Sequence, residues 1–306
     1  MGPLVSVVIP TYKRSLLLTD CIDSVIAQTY STIEIIVVDD NGKGTEFQKL
    51  TEERLRPYLI KGQIKYITHE VNKNGSAARN TGYKNSSGDY LLFLDDDDSL
   101  LPNMISEQLT HLQSLTEDYG AVYCNSIIKY RLKYIGILRT IKTKSLREGN
   151  LCREVLLGKC RFNTSTILFR KSVIEELNGF DEKFRRHQDY ELLVRFFSKY
   201  KIGCTYLPLV KYDLTKDSAP RVNPTSDYAI KSLFFSERGD LLKQMGIYND
   251  ISYDFWLECA INAYLMGEKE VYKQSRANSL KNHHDTFKGL LRLEIFKLLY
   301  TINKLR

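Results

Sequence analysis

The chain opens on an apolar run rich in β-branched residues, Leu4 to Ile9, which stops at Pro10. A second such run, Ile33 to Val38, stops at Asp39-Asp40-Asn41-Gly42. Short apolar runs closed by turn residues predict strands buried on both faces. Between them, apolar residues at 18, 22, 25 and 26 recur at helical spacing, so Leu16 to Gln28 reads as a helix and the whole as a βαβ unit. The alternation continues with a helix near Thr45 to Leu55, a strand at Ile64 to Ile67, a helix opening at Gly75 and Ser76, and a strand at Tyr90 to Leu94. Such alternation predicts an α/β fold, Rossmann-like, whose mostly parallel central sheet carries helices on both faces. Beyond Pro102 the pattern loosens, with strand-like stretches at Ala121 to Tyr130 and Thr166 to Phe169 between helical ones. From about Tyr228 it reads as helix only, with Phe234, Leu241, Leu242, Trp256, Leu257, Ile261 and Leu265 as core positions.

Composition narrows the class. Hydrophobic residues make up 43% and charged residues 26% of the 306 residues, a balance that excludes collagen-like, low-complexity and wholly disordered chains. Two lobes are expected at this length. Neither a spanning segment nor a leader is expected, because Lys13 and Arg14 interrupt the first apolar stretch and no run approaches membrane-spanning length. The six cysteines include no C-x-x-C pair, which argues against a zinc site and for reduced thiols in a cytoplasmic protein. A net charge of +7 favours anionic partners of any kind, and no basic-aromatic repeat supports nucleic acid.

Candidate chemistry follows from topology, since open α/β sheets bind ligands beyond the carboxyl ends of their strands. Pro10-Thr11-Tyr12-Lys13-Arg14 follows the first strand, Asp39-Asp40-Asn41 the second and Asp95-Asp96-Asp97-Asp98 the fourth. Successive carboxylates repel one another unless a cation neutralises them, and hard oxygens suit Mg²⁺ or Mn²⁺ held together with substrate phosphates. An ordinary solvated loop is the competing reading, with Asp98 or Ser99 capping the next helix. The small-residue turn Asn74 to Gly82 leads into a helix with Arg79 one turn inside, an arrangement suited to an anionic group.

In this order the segments resemble the family 2 inverting glycosyltransferases of the GT-A fold: VSVVIPTYKR at 5 to 14, IIVVDD at 35 to 40, NGSAARNTG at 74 to 82, GDYLLFLDDDD at 88 to 98 and GFDEKFRRHQDYELLVRF at 179 to 196. The resemblance spans about residues 4 to 215. It implies a catalytic domain over 1–220, with a nucleotide-sugar half to about 100 and an acceptor half beyond, followed by a helical region over 221–306. It places Pro10, Thr11, Tyr12, Arg14, Asp39, Arg79, Asp95 and Asp96 at the donor nucleotide. Thr11 and Asp39 would hold the base, Tyr12 would stack on it and Asp95 would approach the ribose. Asp97 would bind the metal and Asp189 would be the catalytic base. Gln188 replaces the glutamate usual before that aspartate, and the loop Lys211 to Ser218 lacks the histidine of many relatives, leaving Lys211 or Lys216 as a substitute charge. His187 is placed to tune Asp189, and Glu191 is the next candidate base. The hexose pocket is expected from Tyr123 to Tyr130 and Arg161 to Thr166.

The implied partners are a nucleotide sugar, UDP-linked ahead of dTDP-linked, and a glycan or lipid-linked glycan acceptor. A sugar nucleotidyltransferase would carry glycines after the first strand, where Pro10-Thr11-Tyr12 has none. A glycosidase would not need the nucleotide residues, and a non-catalytic binding partner would have lost the metal or base residues. The tail aligns Phe287, Leu291, Ile295, Leu298 and Ile302 on one stripe bordered by Lys288, Arg292, Lys297, Lys304 and Arg306. That stripe suits internal packing, a homo-oligomer contact, or peripheral attachment to the inner face of a membrane.

Overall fold

The computed structural model describes residues 2–131, 138–160, 164–215 and 223–281. The chain divides into two compact units, Met1–Ser218 and Ala219–Arg306.

In the first unit, β1 (Val5–Thr11), α1 (Ser15–Ile26), β2 (Ile33–Asp39), α2 (Glu46–Ile60), β3 (Lys65–Thr68), α3 (Gly75–Lys84) and β4 (Tyr90–Phe93) follow the predicted alternation. They are joined by β5 (Asp98–Leu100), α4 (Met104–Ser114), β6 (Tyr119–Arg131), β7 (Leu138–Lys142), α5 (Cys152–Leu156), β8 (Ile167–Arg170), α6 (Lys171–Glu176), α7 (Gln188–Phe197) and β9 (Lys201–Asp213). The sheet order is β3-β2-β1-β4-β8-β6-β9-β5, with β7 paired to β6. Strands β3, β2, β1 and β4 are parallel, β8 returns antiparallel beside β4, and β6 and β9 run parallel to each other. This is the α/β architecture, with a mostly parallel, helix-covered sheet in the first half, that the alternation implied.

Both faces of β1 are buried, for different reasons. Val5, Val7 and Ile9 pack with Leu18, Cys21, Ile22 and Val25 of α1 in the main core cluster. On the other face Val8 lies so close to Gly82 of α3 that a Cβ there would sit 2.1 Å from the valine Cγ1. Helix α3 therefore rides directly on the sheet. Its entry is fixed by Asn74, whose left-handed backbone (φ 84°) lets the side chain accept hydrogen bonds from the Ser76 and Ala77 amides. The expected capping role of Asp98 or Ser99 is corrected: both lie in β5, paired with Tyr212 and Lys211 of β9, and α4 starts after Asn103 instead. That pairing draws the last aspartate of the run into the sheet.

In the second unit, α8 (Pro224–Gln244), α9 (Tyr248–Met266) and α10 (Lys269–Leu280) surround an aromatic core in which Phe235 stacks on Trp256 at 5.6 Å. Phe234, Leu242, Trp256, Leu257 and Ile261 are buried as expected, whereas Leu241 and Leu265 are only partly so. The predicted tail stripe beginning at Phe287 lies outside the described residues.

One turn ties the halves of the first unit. Asn80 of α3 accepts from the Phe180 amide and donates to the Phe180 carbonyl, both at 2.8 Å. Gly179, at φ 66°, permits this approach: a Cβ there would meet Asn80 Oδ1 at 2.4 Å and Tyr83 at 2.5 Å. Gly179→Ala should therefore cost about 2–4 kcal/mol from overpacking and a left-handed alanine. Urea unfolding checks this; a loss below about 0.5 kcal/mol would mean the turn relaxes freely.

Candidate active site

The carboxyl ends of β1, β2 and β4 meet at a cleft of about 360 Å³ lined by Pro10, Thr11, Tyr12, Arg14, Asp40, Gly75, Ala78, Arg79, Asp95, Asp96 and Gln188. Lys13, Asn74 and His187, each next in sequence to a lining residue, have left-handed backbones (φ 60°, 84° and 57°). Such conformations are costly outside glycine and cluster at functional sites.

Arginines balance the acidic run. Arg14 Nη1 lies 2.7 Å from Asp97 and 3.5 Å from Asp96. Thr11 donates to the second Asp96 oxygen at 2.6 Å. Arg79 is buried against the Phe180 ring and donates to Asp95 at 2.6 Å and to Gln188 at 2.7 Å. Its Nε has no partner among the described residues. Although burial works against its charge, Asp95 and Asp189 together raise the Arg79 pKa, so the guanidinium is fixed. One side chain thus joins the acidic run to the helix that carries Asp189.

The carboxylates remain strained despite this. Burial, opposed by Thr11 and Arg14 and reinforced by Asp97 and Asp95, pushes Asp96 up to about 7. Burial and then Asp95 raise Asp98 well above the usual carboxylate range. Asp95, Asp97 and Asp98 each place a carboxylate oxygen within 4.8 Å of the others. An all-oxygen set of three carboxylates this close together fits a hard divalent cation such as Mn²⁺ or Mg²⁺. The sequence reading gave the metal Asp97 alone, placed Asp95 at the ribose and gave Asp98 no role at the site. The signal was the unbroken run of four aspartates; its alternative use as a cap concealed it.

Asp189, in the first turn of α7, is half-buried. Burial lifts it to about 6, with Arg79 and His187 pulling it down and Asp95 pushing it up. Among the described residues no hydrogen bond holds its carboxylate. Glu191 is excluded as an alternative base by its environment: fully buried, it pairs with Arg195, which also donates to the Gly179 carbonyl. It anchors the turn beneath the site.

Asp39 needs a different description from the one the sequence suggested. It is buried outside the cleft lining, with one oxygen accepting from the Asn41 amide at 2.8 Å and the other from Tyr66 at 2.7 Å. A base reaching it would have to share an oxygen already engaged by the Asn41 amide or Tyr66. Asp40 lines the cleft instead, yet its oxygens accept from His69, Asn72 and the Lys73 and Asn74 amides. It fixes the loop that starts α3. Tyr12 is 44% exposed on the cleft and free to stack, with the Lys13 ammonium over its ring. Lys211 is exposed on β9, while Lys216 and residues 161–163 lie outside the described residues.

The family model for glycosyl transferase family 2 matches residues 6–177. The chain belongs to that family. It is similar to the amylovoran biosynthesis glycosyltransferase AmsB of Erwinia amylovora, 32% identical over 62% of each chain. It is also similar to the UDP-Glc:alpha-D-GlcNAc-diphosphoundecaprenol beta-1,3-glucosyltransferase of Escherichia coli, 27% identical over 70% of this chain and 79% of that one. Several curated relatives, AmsB among them, are matched over just under two thirds of their own length. Among solved structures, a mannosyltransferase from Pyrobaculum calidifontis in complex with GDP-Man and Mn²⁺ superposes with a TM-score of 0.55, at 15% identity, over 98% of this chain and 81% of that one. That likeness confirms the GT-A fold.

The strained carboxylates have a measurable consequence. Asp96 and Asp189 have folded-state pKa values above those of an unfolded chain, so the native state binds the extra protons and stability falls as pH rises from about 4 through 7. Thermal melts without metal should show a lower Tm at pH 8 than at pH 5.5, with Mn²⁺ restoring more at pH 8. Asp96→Asn should flatten the dependence, and a pH-independent Tm in both proteins would contradict this account.

Proposed function

We propose that this member of glycosyl transferase family 2 moves a sugar from a nucleotide diphosphate sugar, UDP-linked by preference, to a hydroxyl of a glycan or lipid-linked glycan, with inversion at the anomeric carbon. The observation that carries this is the double engagement of Arg79, which links the acidic run after β4 to the start of the helix bearing Asp189. Donor and base sites are thereby held in one frame. The reading of residues 1–220 as the catalytic domain, and of 221–306 as a helical accessory, belongs to the same proposal.

Asp189 is the general base. A carboxylate with a pKa near 6 is ionised at neutral pH yet more basic than an ordinary aspartate, and no hydrogen bond occupies it. It takes the proton from the acceptor hydroxyl as that oxygen attacks the anomeric carbon from the side opposite the diphosphate. Arg14 and Arg79 donate to the departing phosphates, which stabilises charge where it develops. Thr11 and Tyr12 position the nucleotide, the tyrosine ring stacking on the base. Asp95, Asp97 and Asp98 would hold Mn²⁺ or Mg²⁺, which when bound neutralises the diphosphate leaving group.

The substrate classes are drawn from the relatives' names. The Escherichia coli protein's name gives UDP-Glc as donor and a diphosphoundecaprenol-linked sugar as acceptor, and the Erwinia protein's gives synthesis of a polysaccharide. A lipid-linked acceptor would bring this chain to the inner face of a membrane. No helix among the described residues is long and apolar enough to cross one.

Asp189→Asn keeps the shape and removes the basicity, so turnover should fall about 10²- to 10⁴-fold while UDP affinity holds. The parent should lose activity as pH falls through about 6, since the protonated base is inactive, and the variant's residual activity should lack that limb. A variant with parental turnover would reassign the base. Asp97→Ala should abolish Mn²⁺-dependent UDP binding in calorimetry; unchanged affinity would remove Asp97 from the metal site.

A further inference from the structure

A second cleft, of about 490 Å³, lies in the same unit and is lined by Asn125, Thr143 to Arg147, and Gly158 to Cys160. Its cations are Lys144, Arg147 and Lys159, and no carboxylate lines it. Lys144 and Lys159 form no ion pair among the described residues, and Arg147 reaches Glu154 only at 3.7 Å with its side chain 55% exposed. Glu148 is engaged elsewhere, by His111 at 3.4 Å and the Cys204 amide at 2.9 Å. The surrounding sequence is biased the same way: from Tyr119 to Arg147 there are seven basic residues and no acid.

The cleft is built rather than incidental. Asn125, buried at the middle of β6, accepts from the Ser145 amide at 2.7 Å and donates to the Ser145 and Tyr206 carbonyls. Tyr123, also buried, donates to the Arg147 carbonyl at 2.8 Å. Two buried strand residues thus hold the strap that carries Lys144 and Arg147. Cys160 on the cleft is five residues from Ser165, whose hydroxyl accepts from the Asp95 amide. A five-residue chain spans at most about 18 Å, which bounds the separation of Cys160 from Ser165 and ties the cleft to the acidic run through a short segment.

We propose that this cleft binds the phosphate groups of the acceptor, a glycosyl diphosphate carried on a lipid chain. The inference rests on the transferase reading above and names the acceptor's chemical class. The two clefts differ in the required sense. The donor cleft sets Arg14 and Arg79 against Asp40, Asp95 and Asp96, so a diphosphate there needs an added cation. The second cleft is lined by three cations and no carboxylate, with only Arg147 paired, to Glu154 outside the lining, and so takes an anion unaided. Leu146, 76% exposed on the same cleft, puts apolar surface beside the charges, as a phosphate joined to an alkyl chain requires.

Amine-reactive labelling read by mass spectrometry tests the site without activity. Inorganic pyrophosphate and farnesyl diphosphate should each protect Lys144 and Lys159, with exposed Lys142 of β7, outside the cleft lining, as the internal reference. Stronger protection by farnesyl diphosphate supports a lipid-borne phosphate; equal protection supports the anion site but overturns the lipid assignment. Protection no greater than at Lys142 overturns the proposal. The Lys144→Gln/Lys159→Gln protein should retain parental UDP affinity and raise the KM for a diphosphate-linked acceptor at least about tenfold, with little change for an uncharged alkyl glycoside of the same sugar. Equal effects on both acceptors would also overturn it. If UDP binds to neither protein, the donor reading fails separately, and the labelling still decides the cleft.

Discussion

Mutual repulsion among carboxylates is the constraint around which the sheet edge is organised. Two unit charges 4 Å apart repel by about 4 kcal/mol at an effective dielectric of about 20, a large share of the 5–15 kcal/mol that stabilises a typical domain. The Asp95, Asp97 and Asp98 oxygens lie within 4.8 Å of one another, and Asp96 lies between them in sequence. Arg14 and Arg79 relieve this only in part, and burial, the larger cause, adds to the residual repulsion to push Asp96 up to about 7 and Asp98 well above the usual carboxylate range. A site left electrostatically incomplete in this way has affinity for positive charge built in before any ligand arrives.

Helix α3 is the element that makes the partial relief possible. It must approach β1 closely, and the absent side chain of Gly82 permits that. It must also enter at a fixed angle, and Asp40 and His69 secure the preceding loop and Thr81. Ser76 and Asn80 then bind the Phe184 and Phe180 backbone, so the segment leading to α7 follows wherever α3 goes. Arg79 gains its two partners as a consequence of these bonds. Distant substitutions such as Gly179→Ala should therefore be felt at Asp189 as well as in stability.

How much of this was legible follows from the range of the interactions. The first half of the fold could be read because β1, α1, β2 and β4 are built from local periodicity, and most donor-side residues follow those strands directly. Strand β9 could not, because Gly203 and Pro208 interrupt it and its register against β6 shifts repeatedly. Missing β9 hid β5, and with β5 the position of Asp98. One of the hydrogen bonds that engage Asp39 comes from Tyr66, a long-range partner that no spacing announces. The role of Glu191 was similarly concealed: its i,i+4 spacing to Arg195 is visible, but that Arg195 also reaches Gly179 is a tertiary fact.

The same coupling sets the strength of the base. Arg79 lowers the Asp189 pKa and Asp95 raises it, so the basicity of Asp189 responds to whatever charge occupies the cleft beside them. A diphosphate drawing on the Arg79 charge weakens the larger of the two influences, Arg79 and His187, that lower the Asp189 pKa, and its own negative charge acts in the same direction. Asp189 would then be a better proton acceptor with the donor in place than in the free protein. An ordering of this kind arises from electrostatics alone, with no conformational change, because a single buried guanidinium stands between the two sites.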